Sequence, residues 1–325
     1  SWTEIGDLST ARREPSPGVY SANDASIAFN GWGPGYSYAT EEWNHTSTLA
    51  AGAWASGGTM NTGRQSHSTA GYATRDTAFV FGGGPAQVNA EKYDGSSWTE
   101  VANLNTGRLG GAGVGIQTSA LLATGGNPLT VNVESWDNSS WTEIANVNTS
   151  RRQIHGAGTT NASAIIAGGQ PTPDTTVAEQ WNNTSWTEVG NLNTGRWAAA
   201  HFGTSTASLH CAGIGPPDSV VAVVEEWNNT SWTEIGDLNT ARQDSAGGGT
   251  TTDGLVFHGR EPANSAKNEA FDGTSWTEVA DLATARAFGG GGGATGAAAI
   301  CTGGSPDLTT VEEWNRAQNV EIITD

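Results

Sequence analysis

The stretch NNTSWTEVGNLNTGR, residues 182–196, contains two overlapping N-glycosylation sequons, a tryptophan (Trp186) and a lone arginine (Arg196). Its SWTE tetrapeptide recurs through the chain, with an arginine ten residues after each tryptophan. The tryptophans are Trp2, Trp98, Trp141, Trp186, Trp232 and Trp276, with Trp54 in AWASGGTMNTGR as a degenerate seventh copy. Self-similarity at a nearly constant period marks a repeat architecture, so the stretch is first of all a unit of folding.

Two more landmarks lie between each arginine and the next tryptophan. The first is a pair of small residues that ends an apolar run, as in FVFGG up to Gly83 and IIAGG up to Gly169. The second is an acidic residue close to an aromatic one. These acidic residues are Glu42, Glu91, Glu134, Glu179, Glu226, Glu269 and Glu313. Seven arginines, seven small-residue positions and seven aromatic positions therefore indicate seven repeats.

Each repeat is predicted to form four short strands. The first follows the arginine, the second is the apolar run, the third carries the Glu and the aromatic residue, and the fourth carries SWTEV or SWTEI. Alternation along the fourth strand places Trp and Glu on one face and Thr and Val or Ile on the other. A sheet with apolar groups on both faces packs between two other sheets. Four-stranded units of this length favour a β-propeller, closed by radial repetition.

The order Arg, Gly-Gly, Glu-aromatic, Trp resembles the kelch repeat over essentially the whole chain. The resemblance implies an all-β, seven-bladed propeller that spans residues 1–325 as a single domain. The Asn/Thr/Ser-rich sequence of the repeats is similar to that of kelch-like repeats in structural and tail-associated proteins of environmental and marine phages. The predicted blades are 12–54, 64–98, 108–141, 151–186, 196–232, 242–276 and a last one from residue 286.

The last predicted blade lacks a fourth strand of its own, and two segments compete for the position. Residues 1–8 carry SWTEI and are favoured to close the ring from the N-terminus. Residues 319–324 are the alternative, because Asn319 lies five residues after Trp314, as Trp232 does after Trp227. Closure of the ring by a terminal strand is the expectation in either case.

The composition narrows the range of partners. Lys and Arg number 14 against 33 Asp and Glu, which gives a net charge of −19. Nucleic-acid binding needs a basic face, and anionic membranes attract polybasic segments, so neither partner is expected. No apolar run approaches the ~20 residues of a membrane-spanning helix. A protein or glycan surface ligand fits better, and other virion proteins are further candidate partners.

The sequons and the repeated arginines each have a structural and a functional interpretation. Four repeats have an Asn sequon before the fourth strand, but Asp94-Gly95 and Asp272-Gly273 occupy the same position in two others. Asn-Asn, Asp-Asn and Asp-Gly all suit tight turns with positive φ, so hairpin turns are favoured over glycosylation. The arginines would either form a cationic ring at the pore or bond carbonyls and the repeated Glu. The second interpretation is favoured.

Candidate ligand contacts lie where the repeats differ, because packing constrains scaffold positions and leaves loops free. In ligand-binding kelch proteins, the contacts usually come from residues just after the arginine and from the loops between strands two and three. The fourth and fifth repeats combine an aromatic platform with donors suited to a sugar or an acidic peptide. The predicted ligand-binding residues are Arg152, Gln153, His155, Trp197, His201 and Asp244.

Catalytic, metal and cofactor signatures are missing. The six histidines show no HxH or HExxH spacing, and Walker and GxSxG patterns are absent. Cys211 and Cys301 occupy equivalent positions in non-adjacent repeats, too far apart for a disulfide, so both are expected to be buried free thiols. We therefore expect no cofactor, no metal and no enzymatic activity.

The sequence thus predicts a non-enzymatic, rigid binding or structural module on a virion or another extracellular surface, with a role in adhesion or receptor binding. The alternative is a glycan-binding lectin or a glycan-processing enzyme that uses the His, Trp and Arg cluster of the fourth and fifth repeats. An intracellular peptide-binding adaptor is a third possibility and is disfavoured, because no partner domain is present in the sequence.

Overall fold

The computed structural model describes residues 52–170 and 175–316, together with the backbone of three strands before them. The chain divides into two compact units, one comprising Ser1–Ala51 with Ala317–Asp325 and the other comprising Gly52–Arg316. In the first unit, the strands Ser16–Pro17, Ala25–Phe29 and Thr40–Asn44 form an antiparallel sheet in that order. This sheet is the first repeat without its fourth strand.

The second unit is a β-propeller of six four-stranded antiparallel sheets, which we call blades A to F. Their strands follow in order. Blade A contains Ser68–Thr69, Phe79–Phe81, Ala90–Tyr93 and Trp98–Val101; blade B contains Ala112–Ile116, Ser119–Ala123, Val133–Trp136 and Trp141–Ile144; blade C contains Gly156–Thr160, Ser163–Ala167, Ala178–Trp181 and Trp186–Glu188; blade D contains Ala200–Gly203, Ser208–Cys211, Val224–Trp227 and Trp232–Glu234; blade E contains Ala246–Gly249, Gly254–Phe257, Asn268–Phe271 and Trp276–Val279; blade F contains Gly290–Thr295, Ala298–Thr302, Val311–Asn315 and Ala53–Ser56.

The prediction of seven blades is wrong, because the propeller has six. The fourth strand of blade F is Ala53–Ser56, which pairs with Val311–Asn315 and sets Trp54 opposite Trp314. The strand that would have completed the first repeat therefore closes the ring instead, and the other three strands of that repeat form the separate sheet. Residues 1–8 and 319–324, the segments predicted for this position, lie outside the described residues.

Aromatic side chains from strands three and four of each blade pack against the preceding blade. Trp141 of blade B contacts Phe81 of blade A, with ring centroids 4.9 Å apart. The same arrangement joins blade A to blade F, where Trp98 shares a buried cluster with Ile300 and Val311. The repeated tryptophan is thus a wedge between blades, and its contacts run around the complete ring of six.

Glycines bring the innermost strands of neighbouring blades close together. A Cβ on Gly113 of blade B would lie 2.3 Å from the carbonyl oxygen of Thr69 in blade A. A Cβ on Gly292 of blade F would lie at the same distance from the oxygen of Gly71. Because any side chain would clash there, the glycine-rich sequence of the first strands permits a narrow central channel.

Two small elements complete the described part of the chain. A 3₁₀ turn covers Arg75–Thr77, and a two-stranded ribbon pairs Ile214–Gly215 with Ser219–Val220. Within residues 52–170 and 175–316, no helix has the length and hydropathy needed to cross a membrane.

Candidate binding site

The six described repeat arginines are buried, and each forms an ion pair with a buried glutamate on the third strand of the same blade. We call these pairs the arginine belt. They are Arg64–Glu91, Arg108–Glu134, Arg151–Glu179, Arg196–Glu225, Arg242–Glu269 and Arg286–Glu312. In blades D and F the paired residue is Glu225 or Glu312, one position before the glutamate assigned from the sequence, so that assignment was one residue out of register.

Hydrogen bonds saturate the carboxylate of each belt pair, as blade D illustrates. Glu225 Oε1 lies 2.6 Å from Arg196 Nη1, and Glu225 Oε2 accepts bonds from the backbone and side-chain nitrogens of Asn193 at 2.7 and 2.8 Å. Arg196 also donates to the carbonyl oxygens of His210 and Thr194. The structural interpretation of the arginines is confirmed for these six, although each pair lies within a blade and not between blades.

Two residues after each belt arginine, the chain reaches the mouth of the central channel. The residue there has a left-handed backbone in all six blades, with φ between 50° and 61°. We call these six residues the mouth ring: Ser66, Gly110, Gln153, Ala198, Asp244 and Phe288. Backbone hydrogen bonds link them from blade to blade, for example from Asp244 N–H to Ala198 O at 2.9 Å and from Phe288 N–H to Asp244 O at 3.0 Å. Fixed backbone geometry thus presents six unlike side-chain positions around one opening.

The mouth ring surrounds an open cavity of about 350 Å³, which we call the mouth cavity. His67, Ile154, His155 and Gly289 complete its lining. A second cavity of about 420 Å³ lies along the innermost strands, and His155, His201 and Phe202 contribute to its wall. His155 lines both cavities.

The structure separates the six predicted ligand-binding residues. Gln153, His155 and Asp244 line the mouth cavity, and His201 lines the channel cavity with His155. Arg152 and Trp197 line neither of these two cavities. Arg152 is exposed, with its Nε 3.2 Å from Gln170 Oε1, and Trp197 is half-buried.

His201 is held firmly in the interior. One ring nitrogen lies 3.0 Å from Ser208 Oγ and the other lies 3.3 Å from the carbonyl oxygen of His155. Burial lowers the pKa of His201 to about 3. This histidine is therefore neutral over the physiological range and supports the channel wall.

Asp244 is the carboxylate of the mouth ring, and its surroundings differ from those of the belt glutamates. Asp244 is 5% exposed. Burial raises the pKa of its carboxyl group to about 6, although the positive charge of Arg260 acts to lower this pKa. Arg260 Nε lies 3.0 Å from Asp244 Oδ2, and the Arg260 guanidinium lies 4.8 Å from the centre of the Phe288 ring. Asp244 Oδ2 has no aligned hydrogen-bond donor among the described residues. Three side chains from blades E and F thus meet at the mouth around a poorly satisfied carboxylate.

Ser66, Phe288 and Arg260 were not among the residues selected from the sequence. The signal for the first two is positional, since each lies two residues after a belt arginine, as Gln153 and Asp244 do. Arg260 lies in the connection between strands two and three of blade E, and only the structure brings it to Asp244.

In blades A to E, the Asn and Asp residues before the fourth strands form hairpin turns, as predicted for them. In blade C, Asn182 Oδ1 accepts bonds from the backbone N–H groups of Thr184 and Ser185 at 3.0 and 2.9 Å. Asn183 has a φ of 72°, and Gly95 and Gly273 have positive φ at the corresponding place in blades A and E. These hairpins connect strands three and four, so they lie at the opposite end of the blades from the mouth ring.

Cys211 and Cys301 are buried free thiols, as expected. Burial raises the pKa of both, which suppresses thiolate chemistry. In the described part of the chain, no group of three or more His, Cys, Asp or Glu side chains is placed to hold a metal ion.

Comparison with known proteins supports the fold and no more. No family model matches the chain, and no curated protein matches it. Among solved structures, the structure of YjhT superposes with a TM-score of 0.63 over 79% of this chain and 96% of that one, at 14% sequence identity. At an identity this low, the superposition shows that the two proteins share a fold. Function has to be argued from the site.

Proposed function

We propose that this protein is a non-enzymatic, rigid binding module whose ligand engages the mouth cavity and the loops around it. The observation that carries this proposal is the contrast between two positions in the same connection. The belt position is arginine in all six blades and is paired with a buried glutamate, whereas the mouth-ring position holds Ser, Gly, Gln, Ala, Asp or Phe in one backbone conformation. A constant scaffold with variable side chains around an opening is typical of a recognition surface.

We further propose that the repeats are of the kelch type and that the protein serves on a virion or another extracellular surface, in adhesion or receptor binding. The order of Arg, Gly-Gly, Glu-aromatic and Trp supports the first part. The second part is supported by the Asn/Thr/Ser-rich repeat sequence, which resembles that of phage proteins, and by the net charge of −19. An acidic surface keeps a protein soluble in a salty medium. The proposed partners are proteins or glycans, including other virion proteins, and not nucleic acids.

A glycan array and a panel of candidate protein ligands, probed with the full chain, test this proposal. We expect binding without turnover of any ligand, and loss of binding when Gln153 of the mouth ring is replaced by Ala. The control is Asn138→Ala at the opposite end of blade B, which should bind normally. Absence of any ligand, or a Gln153→Ala variant that binds as well as the parent, would refute the mouth as the binding site.

The alternative is a lectin or a glycan-processing enzyme that uses the His, Trp and Arg cluster. Its support is that His155 and His201 line the same channel cavity. A glycosidase panel separates this alternative from the main proposal, because turnover that disappears in His155→Ala or His201→Ala would establish an enzyme. Binding of a glycan without turnover would support a lectin.

A further inference from the structure

A cationic group that belongs to the chain itself contacts two residues that line the mouth cavity. Arg260 extends from the connection between strands two and three of blade E, and its guanidinium lies against both Asp244 and Phe288. A carboxylate beside an aromatic face is a favourable place for a guanidinium, which is planar, weakly hydrated and able to stack. The site is therefore built for a cation.

Arg260 fills this place incompletely. Its side chain is 38% exposed, and its Nε–H is not aligned with Asp244 Oδ2, although the two atoms are only 3.0 Å apart. Asp244 in contrast is 3% exposed in its side chain, and its Oδ2 lacks a hydrogen-bond donor among the described residues. A buried carboxylate without an aligned donor is costly, and a ligand that supplies one gains from satisfying it.

The other groups that face Asp244 across the mouth cavity add no competing charge. His67 from blade A and His155 from blade C have pKa values lowered by burial, so both are neutral near pH 7. Gln153 and Ser66 offer neutral oxygens that can accept bonds from a donor-rich ligand. At larger distance, a net charge of −19 attracts a basic partner and repels an acidic one.

We propose that the mouth cavity binds an arginine side chain from a basic peptide segment of a partner protein, which displaces Arg260 from Asp244. The inference rests on the proposed role of the mouth as the binding face. Asp244 is the acceptor for the guanidinium, Phe288 supplies a stacking face, and Arg260 acts as an internal competitor.

The test is isothermal titration calorimetry at pH 7.5 and low salt, with acetyl-Gly-Arg-Gly-amide as the probe. The same peptide with citrulline in place of arginine is the matched neutral control, and the Glu peptide is the acidic control. We expect weak binding of the Arg peptide, with a Kd on the order of 0.1–1 mM, and at least about tenfold weaker binding of both controls. A free guanidinium compound, such as methylguanidine, measures how much the peptide backbone contributes.

Three variants distinguish this site from other cation-binding positions. Asp244→Asn should weaken binding of the Arg peptide about tenfold or more, whereas Asp307→Asn, an exposed carboxylate in a blade F connection on the same face, should leave it unchanged. Arg260→Ala should strengthen binding several-fold, because the internal competitor is gone. Thermal melting of each variant confirms that it is folded.

Several results would overturn the proposal. With the parent protein, these results are no detectable binding of the Arg peptide, or binding of the citrulline peptide as tight as that of the Arg peptide. With the variants, they are normal binding of the Arg peptide by Asp244→Asn, or weaker binding of it by Arg260→Ala than by the parent. Tighter binding of the Glu peptide than of the Arg peptide would instead make Arg260 an anchor for anions. If the Arg peptide fails while a glycan or protein ligand remains sensitive to Gln153→Ala, this inference is wrong and the proposed function stands.

Discussion

The propeller contains two kinds of arginine–carboxylate pair, which differ in burial and in hydrogen bonding. In the belt, Arg196 and Glu225 are both fully buried, and several backbone groups bond to each of them. At the mouth, Arg260 remains partly exposed, and one oxygen of Asp244 has no aligned donor in the described part of the chain. A buried carboxylate whose two oxygens both accept hydrogen bonds has no capacity left for a ligand, whereas a carboxylate with an unsatisfied oxygen beside a cavity does. Hydrogen-bond saturation of the carboxylate, more than charge, distinguishes scaffold from site among the described residues.

Acid should produce the largest effect, and it acts with opposite sign on the buried histidines and on Asp244. Four buried histidines, His67, His201, His210 and His258, have folded-state pKa values depressed by desolvation. Below pH 6.5 the unfolded chain therefore binds more protons, and stability that is present above pH 6.5 is lost as the pH falls. The loss should reach up to about 5 kcal/mol per pH unit for the four together.

Chemical denaturation between pH 7.5 and 4.5 measures this loss. Asp244 acts in the opposite direction, because its raised pKa favours the folded state once it is protonated near pH 6. The four histidines outnumber this single group, so we expect net acid destabilisation. A free energy of unfolding that stays constant over this range would contradict the burial of the histidines.

The closing strand should produce the next largest effect. Trp54 contacts Trp314 within blade F and Phe257 of blade E, with ring centroids 5.5 and 5.3 Å apart. Trp54→Ala should cost about 2–4 kcal/mol, because it leaves a cavity where the ring closes. Removal of residues 1–8 is the comparison, and it should leave the melting of the six-bladed unit unchanged. If the truncation melts early and Trp54→Ala does not, Ala53–Ser56 is not the closing strand.

A hairpin turn at the far end of a blade should produce the smallest effect. Asn182→Ala removes the side-chain oxygen that accepts from Thr184 and Ser185, at a cost of about 0.5–1.5 kcal/mol. Binding of any mouth ligand should not change, because these hairpins lie at the opposite end of the blades. Urea denaturation measures the cost. An Asn182→Ala variant that loses the mouth ligand while remaining folded would remove the distinction between the two ends of the propeller.

The sequence predicted those parts of the fold that every repeat shares. The four-stranded blades, the tryptophan wedges such as Trp141 and the turns such as Asn182-Asn183 follow from local patterns that repeat. The number of blades did not follow, because the segments around Trp54 and Trp2 have related sequences and the local pattern does not show which of them pairs with Val311–Asn315. Closure of the whole ring makes this choice.

The candidate site was less predictable for a related reason. The mouth ring is defined by a backbone conformation shared among unlike residues, so Ser66 and Phe288 share their position two residues after a belt arginine and no residue type. The contact between Asp244 and Arg260 joins two connections of blade E that are 16 residues apart and follow no motif. Arg152 and Trp197 stood out by residue type, but their places in the fold put them outside the two cavities.

The most direct test of the account compares two neutralised carboxylates in one measurement, the free energy of unfolding at pH 7.5. Glu225→Gln leaves Arg196 buried without its counter-charge and should destabilise the protein by about 3–5 kcal/mol. Asp244→Asn removes a carboxylate whose folded-state pKa lies above its ordinary value, so ionisation at pH 7.5 costs stability. This variant should therefore be as stable as the parent or more stable by up to about 3 kcal/mol. Equal destabilisation by both substitutions would show that the mouth pair belongs to the scaffold and would contradict the account.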